Sequence, residues 1–310
     1  MTLLRQAVTE YLTLRRDLGF KLLMTGAYLH QAVDFMEAQD ASHITVDLAL
    51  QWAMQPKAGK PGTWAGRLMA LRGFARYYSV IDPRTEIPPK NLLPYRRNRA
   101  RPYLYTAQEI ERLMARACKL QSEDPLRGRT YAVLLGLLAV TGLRISEALA
   151  LEPHDVDLNN GVLTIRGAKF GKLRLVPLHP STQEALLQYR QERDAVLRAV
   201  IARRFFVSSR GQPLIYRSVR KIFQDLCREI GLRPPEHGDP PRLHAFRHRF
   251  AMETLSRWYD VAEDVERRLP VLSTFLGHTS IDHTYWYLSA RPELMAKAMR
   301  RLERRWEKPL

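Results

Sequence analysis

Residues 83–102 interleave Pro83, Pro88, Pro89, Pro94 and Pro102 with Lys90, Arg96, Arg97, Arg99 and Arg101. A proline fixes its own φ, has no amide to donate and disfavours the helical conformation in the residue before it. At this density neither helix nor strand runs through the segment, so the chain divides in two. The expected organisation is a helical domain at 1–88, a basic linker at 89–103 and a larger domain at 104–310, and 310 residues suffice for it. The linker arginines are either solvated or track a phosphate backbone.

Before the linker, apolar residues recur at helical spacing. Leu4, Val8, Tyr11 and Leu12 mark a first helix that stops near Gly19, and Leu29, Val33 and Met36 mark a second. A third is expected at 46–54, ending before Pro56, and a fourth at 64–78 with Leu68, Leu71 and Ala75 on one side. Arg67, Arg72 and Arg76 decorate the fourth helix and are read either as a solvated basic face or as DNA contacts.

Charge narrows the function classes. Lys and Arg exceed Asp and Glu by 17, and the pI is about 10.2. Such an excess points to a polyanion, because each cation that meets a phosphate releases condensed counterions. A membrane surface is disfavoured: MTLLRQ carries no myristoylation pattern, the longest apolar run, 131–140, is too short to span, and no secretory signal opens the chain. Cys118 and Cys227 lie far apart without metal spacing and are expected to be packed thiols of a cytoplasmic protein.

The second domain is expected to be mainly α with a small antiparallel β-sheet. Thr106-Ala107-Gln108-Glu109 is a capping box that starts a helix, and 130–140 is apolar enough to be a buried one. Strands at 162–166 and 173–177 flank a basic tip, with helices near 181–198, 216–230, 244–258 and 291–306 and a short strand at 205–208.

Metal-free cleavage of a phosphodiester needs a nucleophile, an acid for the departing oxygen and fixed positive charge around the phosphate. Guanidinium forks match phosphate oxygens, so arginines from different elements should converge. Four segments supply such groups. Thr141-Gly142-Leu143-Arg144-Ile145-Ser146-Glu147 places Arg144 after a tight glycine turn. The hairpin tip carries Lys169 and Lys172. His244 and Arg247, three apart, share a helix face, and Leu276-Gly277-His278 precedes Tyr287 by nine residues from the histidine.

Together and in this order, these segments resemble the tyrosine recombinase, or phage-integrase, family, with Xer-like spacing over 104–310. The resemblance implies a two-domain clamp on double-stranded DNA, with a helical, SAM-like core-binding domain followed by the catalytic domain. It assigns the catalytic set Arg144, Lys169, His244, Arg247, His278 and Tyr287, with Glu147 in support. Lys172 rivals Lys169, but counting back from Arg174-Leu175-Val176-Pro177 selects Lys169. Tyr285 is two residues too early. The implied reaction is strand cleavage and rejoining through a 3′-phosphotyrosine, with no cofactor and no metal. His244 and His248 lack the glutamate of a zinc HExxH helix, since Ala245 stands there, and His248 and His283 read as packing or surface residues.

The resemblance further implies a tetramer assembled on nucleoid DNA. The stripe Leu294, Ala298, Leu302 and Trp306, flanked by Met295 and Met299, docks either on its own domain or on a neighbouring protomer. A mobile-element integrase or transposase, a dimer resolvase, and dependence on a sister recombinase or accessory factor remain open. A binding protein without catalysis would explain the charge but not the six residues, and a type IB topoisomerase would act as a monomer.

Overall fold

The computed structural model describes residues 2–55, 59–93, 102–166, 173–198, 200–234, 239–261, 264–289 and 292–306. The chain separates into two compact units at Arg99/Ala100. The expected contacts Arg96, Arg97, Arg99 and Arg101, and the lysines Lys169 and Lys172, lie outside the described residues.

The first unit consists of helices α1 (Leu3–Asp17), α2 (Leu23–Glu37), α3 (Val46–Met54) and α4 (Pro61–Ile81). Pro61 occupies the first turn of α4, where a missing amide costs nothing, so this helix begins before residue 64. Leu4, Val8, Leu12, Leu29, Met36, Trp52, Leu71, Phe74 and Tyr78 form its core. The proline-rich chain does not leave this unit at residue 88. The Glu86 amide donates to the Ile44 carbonyl at 2.8 Å, Arg72 Nε donates to the Pro88 carbonyl at 2.7 Å, and Leu93 packs on the core.

The three arginines of α4 do not share one exposed face. Arg67 is buried, donating to the Trp52 carbonyl at 3.0 Å and to Gln31 Oε1 at 3.1 Å, with its guanidinium 4.2 Å from the Trp52 ring centroid. Helical periodicity turns Arg67 towards α2 and α3, while Arg76 is exposed.

The second unit opens with α5 (Ala107–Cys118), whose capping box forms: Glu109 N donates to Thr106 Oγ1 at 3.1 Å, and Thr106 N to Glu109 Oε2 at 2.8 Å. Helix α6 (Arg127–Thr141) is buried on most sides, and the short α7 (Ile145–Ala150) follows. A three-stranded antiparallel sheet runs β1 (Val156–Asp157), β2 (Val162–Arg166), β3 (Leu173–Pro177) in spatial order, with Leu163 opposite Val176 and Ile165 opposite Arg174. Helices α8 (Pro180–Leu197), α9 (Tyr216–Glu229), α10 (Leu243–Asp260), α11 (Val265–Leu276), α12 (Asp282–Ser289) and α13 (Pro292–Trp306) complete the unit.

One core gathers α5, α6, the sheet, α9 and the start of α10; a second joins Ala251, Leu255, Leu269, Leu276, Tyr287 and Leu294 beneath α10 to α13. No strand forms at 205–208. Phe205 and Phe206 sink into the first core, and only Val207 pairs, in a single bridge to Pro213. Cys227 is buried as expected, whereas Cys118, at the end of α5, is exposed. Leu294 seats the start of α13 on its own unit, and Lys297 holds it there through Asp260 at 2.6 Å and Ser256 at 2.7 Å. Met295 and Met299 are exposed, and the side chains of Leu302 and Trp306 are outside the described set. No helix among the described residues is long and apolar enough to cross a membrane.

Candidate functional site

The site is built around two helix ends closed by glycine. Helix α6 stops at Gly142, φ +60°, and α11 stops at Gly277, φ +66°, both in the left-handed conformation that side chains disfavour. After Gly142 the buried Leu143 anchors the turn and Arg144 caps α7. After Gly277 the His278 amide donates back to the Ser273 carbonyl at 2.9 Å, fixing where the histidine emerges.

The last carbonyls of α11 lack helical partners and carry the negative end of the helix dipole. Three arginines take them. Arg174 Nε donates to the Phe275 carbonyl at 2.9 Å, Arg247 Nη2 to the Leu276 carbonyl, and Arg144 Nη2 to the Gly277 carbonyl at 3.0 Å. Arg247 also donates to the Gly142 carbonyl at 2.9 Å, which ties the two glycine-closed ends together. Glu147 bridges the other two: Arg144 Nη1 donates to it at 2.7 Å and Arg174 Nη2 at 2.7 Å.

Tyr287 lies beside this frame on α12. It is 2% exposed, against 47% for Tyr285, a difference in burial that accompanies the difference in spacing from His278. Its ring stacks on His278 at 6.1 Å and meets His248 edge-on at 5.6 Å. His248 in turn contacts the His244 ring at 4.7 Å. The His278 Nδ1 shares a hydrogen bond of 2.8 Å with the buried Thr284 hydroxyl, which orients the ring. Arg144, Glu147, His244, Arg247, His278 and Tyr287 are thereby brought together in the second unit. Arg174 and Thr284 were not singled out from sequence; a polar residue inward on a strand beside apolar neighbours was the available signal. His248 and His283 are packing neighbours of the site histidines. Among the described residues, no three His, Cys, Asp or Glu side chains gather as a metal set.

Electrostatics follow from burial beside cations. Burial, Arg247 and Arg144 push His278 down to about 3, so its ring is neutral at physiological pH. The ring of His244 reaches solvent, yet desolvation by surrounding protein, with Arg247 and Arg144, lowers it too. Burial and Arg144 lower Arg247 to about 10, which leaves it charged. Burial raises the Glu147 carboxyl, but Arg174 and Arg144 overcome this and hold it below the ordinary carboxylate range.

Two expected results arise here. An unfolded histidine takes up a proton near pH ~6.5, which folded His278 refuses until about 3, so stability falls as pH drops below that first value. Urea melts between pH 7 and 5 should lose stability, and His278→Gln should flatten that slope; an unchanged slope refutes it. Gly142→Ala places a Cβ 2.7 Å from the Phe250 ring at positive φ. It should cost about 1–3 kcal/mol of unfolding free energy in the same melts and displace the carbonyl that holds Arg247.

Comparison with known proteins accords with this geometry. The model of the phage integrase family matches residues 104–293. The integrase/recombinase y4rB of Sinorhizobium fredii is 50% identical over 311 residues, covering 99% of each chain. The tyrosine recombinase XerD of Caulobacter vibrioides is 30% identical over 84% of this chain and 81% of its own. In fold, the Tn1549 transposon integrase in complex with transposon right end DNA superimposes with a TM-score of 0.70 at 18% identity, covering 98% of this chain and 99% of that one. With arginines, histidines and a buried tyrosine assembled where the family match lies, the chain belongs to the phage integrase family of tyrosine recombinases, the enzymes of site-specific DNA recombination.

Proposed function

We propose that this protein is the recombinase of a mobile element and that Tyr287 is its nucleophile. The Tyr287 oxygen attacks the scissile phosphorus, the bond to the 5′ oxygen breaks, and a 3′-phosphotyrosine forms with release of a 5′-hydroxyl. A hydroxyl from a partner strand reverses the step, so bond energy stays in the ester. The carrying observation is the convergence of Arg144 and Arg247 on the carboxyl end of α11 beside His278 and Tyr287.

The two guanidinium groups neutralise the phosphate as charge develops. A neutral His244 is able to take the phenol proton, since an unperturbed tyrosine titrates near pH ~10. If the Thr284 hydroxyl donates to His278 Nδ1, the other ring nitrogen carries a proton for a phosphate oxygen. Lys169 is the acid for the departing oxygen, with Lys172 as the alternative. Net charge of +17 favours a DNA partner, and the exposed Arg76 is a candidate phosphate contact of the first unit; assembly as a tetramer on nucleoid DNA belongs to the same proposal. The 50% identity to an integrase/recombinase over the whole length supports the integrase reading. The 30% identity to XerD supports a dimer resolvase as second reading.

Randomised nicked duplexes, which lose a short fragment on cleavage and cannot religate, test this directly. In EDTA, wild-type protein should yield SDS-resistant adducts whose sequences define the site. Salt-sensitive binding without adducts would reject self-sufficient catalysis. Recovered sites matching the termini of a mobile element, rather than a chromosomal dimer-resolution site, would separate the two biological roles.

A further inference from the structure

We infer that Arg174 is a positioning residue of the strand-transfer site: from β3 it sets Arg144 through Glu147 and sets His278 through the last turn of α11. The inference rests on the recombinase reading and concerns a residue whose hydrogen bonds run to Glu147 and the end of α11. Arg174 is 12% exposed in its side chain and stands opposite Ile165 in the β2–β3 pair. Its donors are committed inward. Nε goes to the Phe275 carbonyl at 2.9 Å, Nη1 to Glu147 Oε1 at 3.1 Å and Nη2 to Glu147 Oε2 at 2.7 Å.

What Arg174 holds is what aims the two site groups. Glu147 Oε1 accepts from Arg144 Nη1 and Oε2 from the Arg144 amide, at 2.7 and 2.9 Å, so moving the carboxylate moves the arginine at both its ends. The Arg174 guanidinium also lies flat against Gly277, where an added Cβ would come within 2.8 Å of Nη1. Gly277 is the residue immediately before His278, and its carbonyl is the second anchor of Arg144. One planar cation on β3 therefore fixes both a carboxylate on α7 and the end of α11. Lysine cannot replace it, because a single ammonium cannot span both Glu147 oxygens and the Phe275 carbonyl.

The electrostatic consequence separates positioning from mere packing. Among the described residues, the charged and titratable groups facing Glu147 are Arg144 from the α7 cap, Arg174 from β3, and His244 and Arg247 from α10. Without Arg174, burial raises the carboxyl with less to oppose it. A protonated Glu147 loses its anionic grip on Arg144, so strand cleavage should acquire an acid limb as pH falls.

Single-turnover cleavage of the selected nicked duplex, at saturating protein, tests this in wild type, Arg174→Gln, Arg174→Lys, Glu147→Gln and the double variant Glu147→Gln/Arg174→Gln. Both Arg174 variants should cleave ~10–100-fold more slowly, since misplacement of about an ångström has that effect, with DNA affinity within about 3-fold. Arg174→Gln should show an acid limb that wild type lacks over the same pH range, and the double variant should lack it and be no slower than Glu147→Gln. Wild-type rates in Arg174→Lys, or additive losses in the double variant, overturn the inference. A second arm needs no activity: in DNA-free protein, side-chain nitrogen spectra should resolve the Arg144 Nη protons in wild type and average them in Arg174→Gln. Unchanged Arg144 signals overturn the inference, whereas absence of any wild-type adduct counts against the recombinase reading alone.

Discussion

Replacing Tyr287 by phenylalanine is expected to abolish the covalent protein–DNA adduct, a loss of ~10⁴-fold or more in cleavage, with duplex affinity and stability nearly unchanged. The substitution removes one oxygen. The ring that stacks on His278 and meets His248 edge-on remains, so α12 keeps its seat in the second core. Gel shifts and SDS-resistant adducts read the two properties separately. Tyr285→Phe is the control: that side chain is half in solvent, and its loss should leave adduct yield intact. An adduct persisting in Tyr287→Phe would end the assignment.

The second large effect is expected at Arg247. Arg247→Ala should reduce cleavage by ~10³-fold and lower unfolding free energy by about 2–5 kcal/mol. Both losses come from one geometry. The side chain is 1% exposed and gives its hydrogen bonds to two neutral carbonyls, of Gly142 and Leu276. Neutral partners position the charge without cancelling it, so it remains available to a phosphate. Removing it leaves two buried acceptors without donors and a cavity between α6, α10 and α11. Arg144→Ala should give a comparable kinetic loss but a smaller stability loss, because its side chain is 38% exposed. Equal stability losses in denaturant melts would show that the deeper burial of Arg247 adds nothing to what it contributes.

The outline of this molecule was legible where a local rule sufficed. Apolar spacing located α1 to α4, the capping box started α5, and Gly142 followed by Arg144 marked a turn with a charge beyond it. Local rules missed α7 because six residues carry too little periodicity, and α11 because Pro270 sits inside it. Arg67 was misjudged for the same reason: a single cation on a helix does not reveal that a carbonyl on another helix awaits it. The site residues could be named from their order along the chain. How they are held could not, since the bond from Arg174 to the Phe275 carbonyl spans 101 residues and depends on a backbone atom that every residue type possesses.

That dependence on backbone atoms has a consequence for how the site tolerates change. The grip on Phe275, Leu276 and Gly277 reads the register of α11, not its side-chain lettering. Exchanging an exposed residue of the helix such as Val271 leaves every carbonyl where it was. Inserting or deleting one residue rotates the end of the helix by about 100° and shifts it by ~1.5 Å, carrying all three acceptors away from their arginines at once. Along this helix, the exposed positions can drift while length is locked.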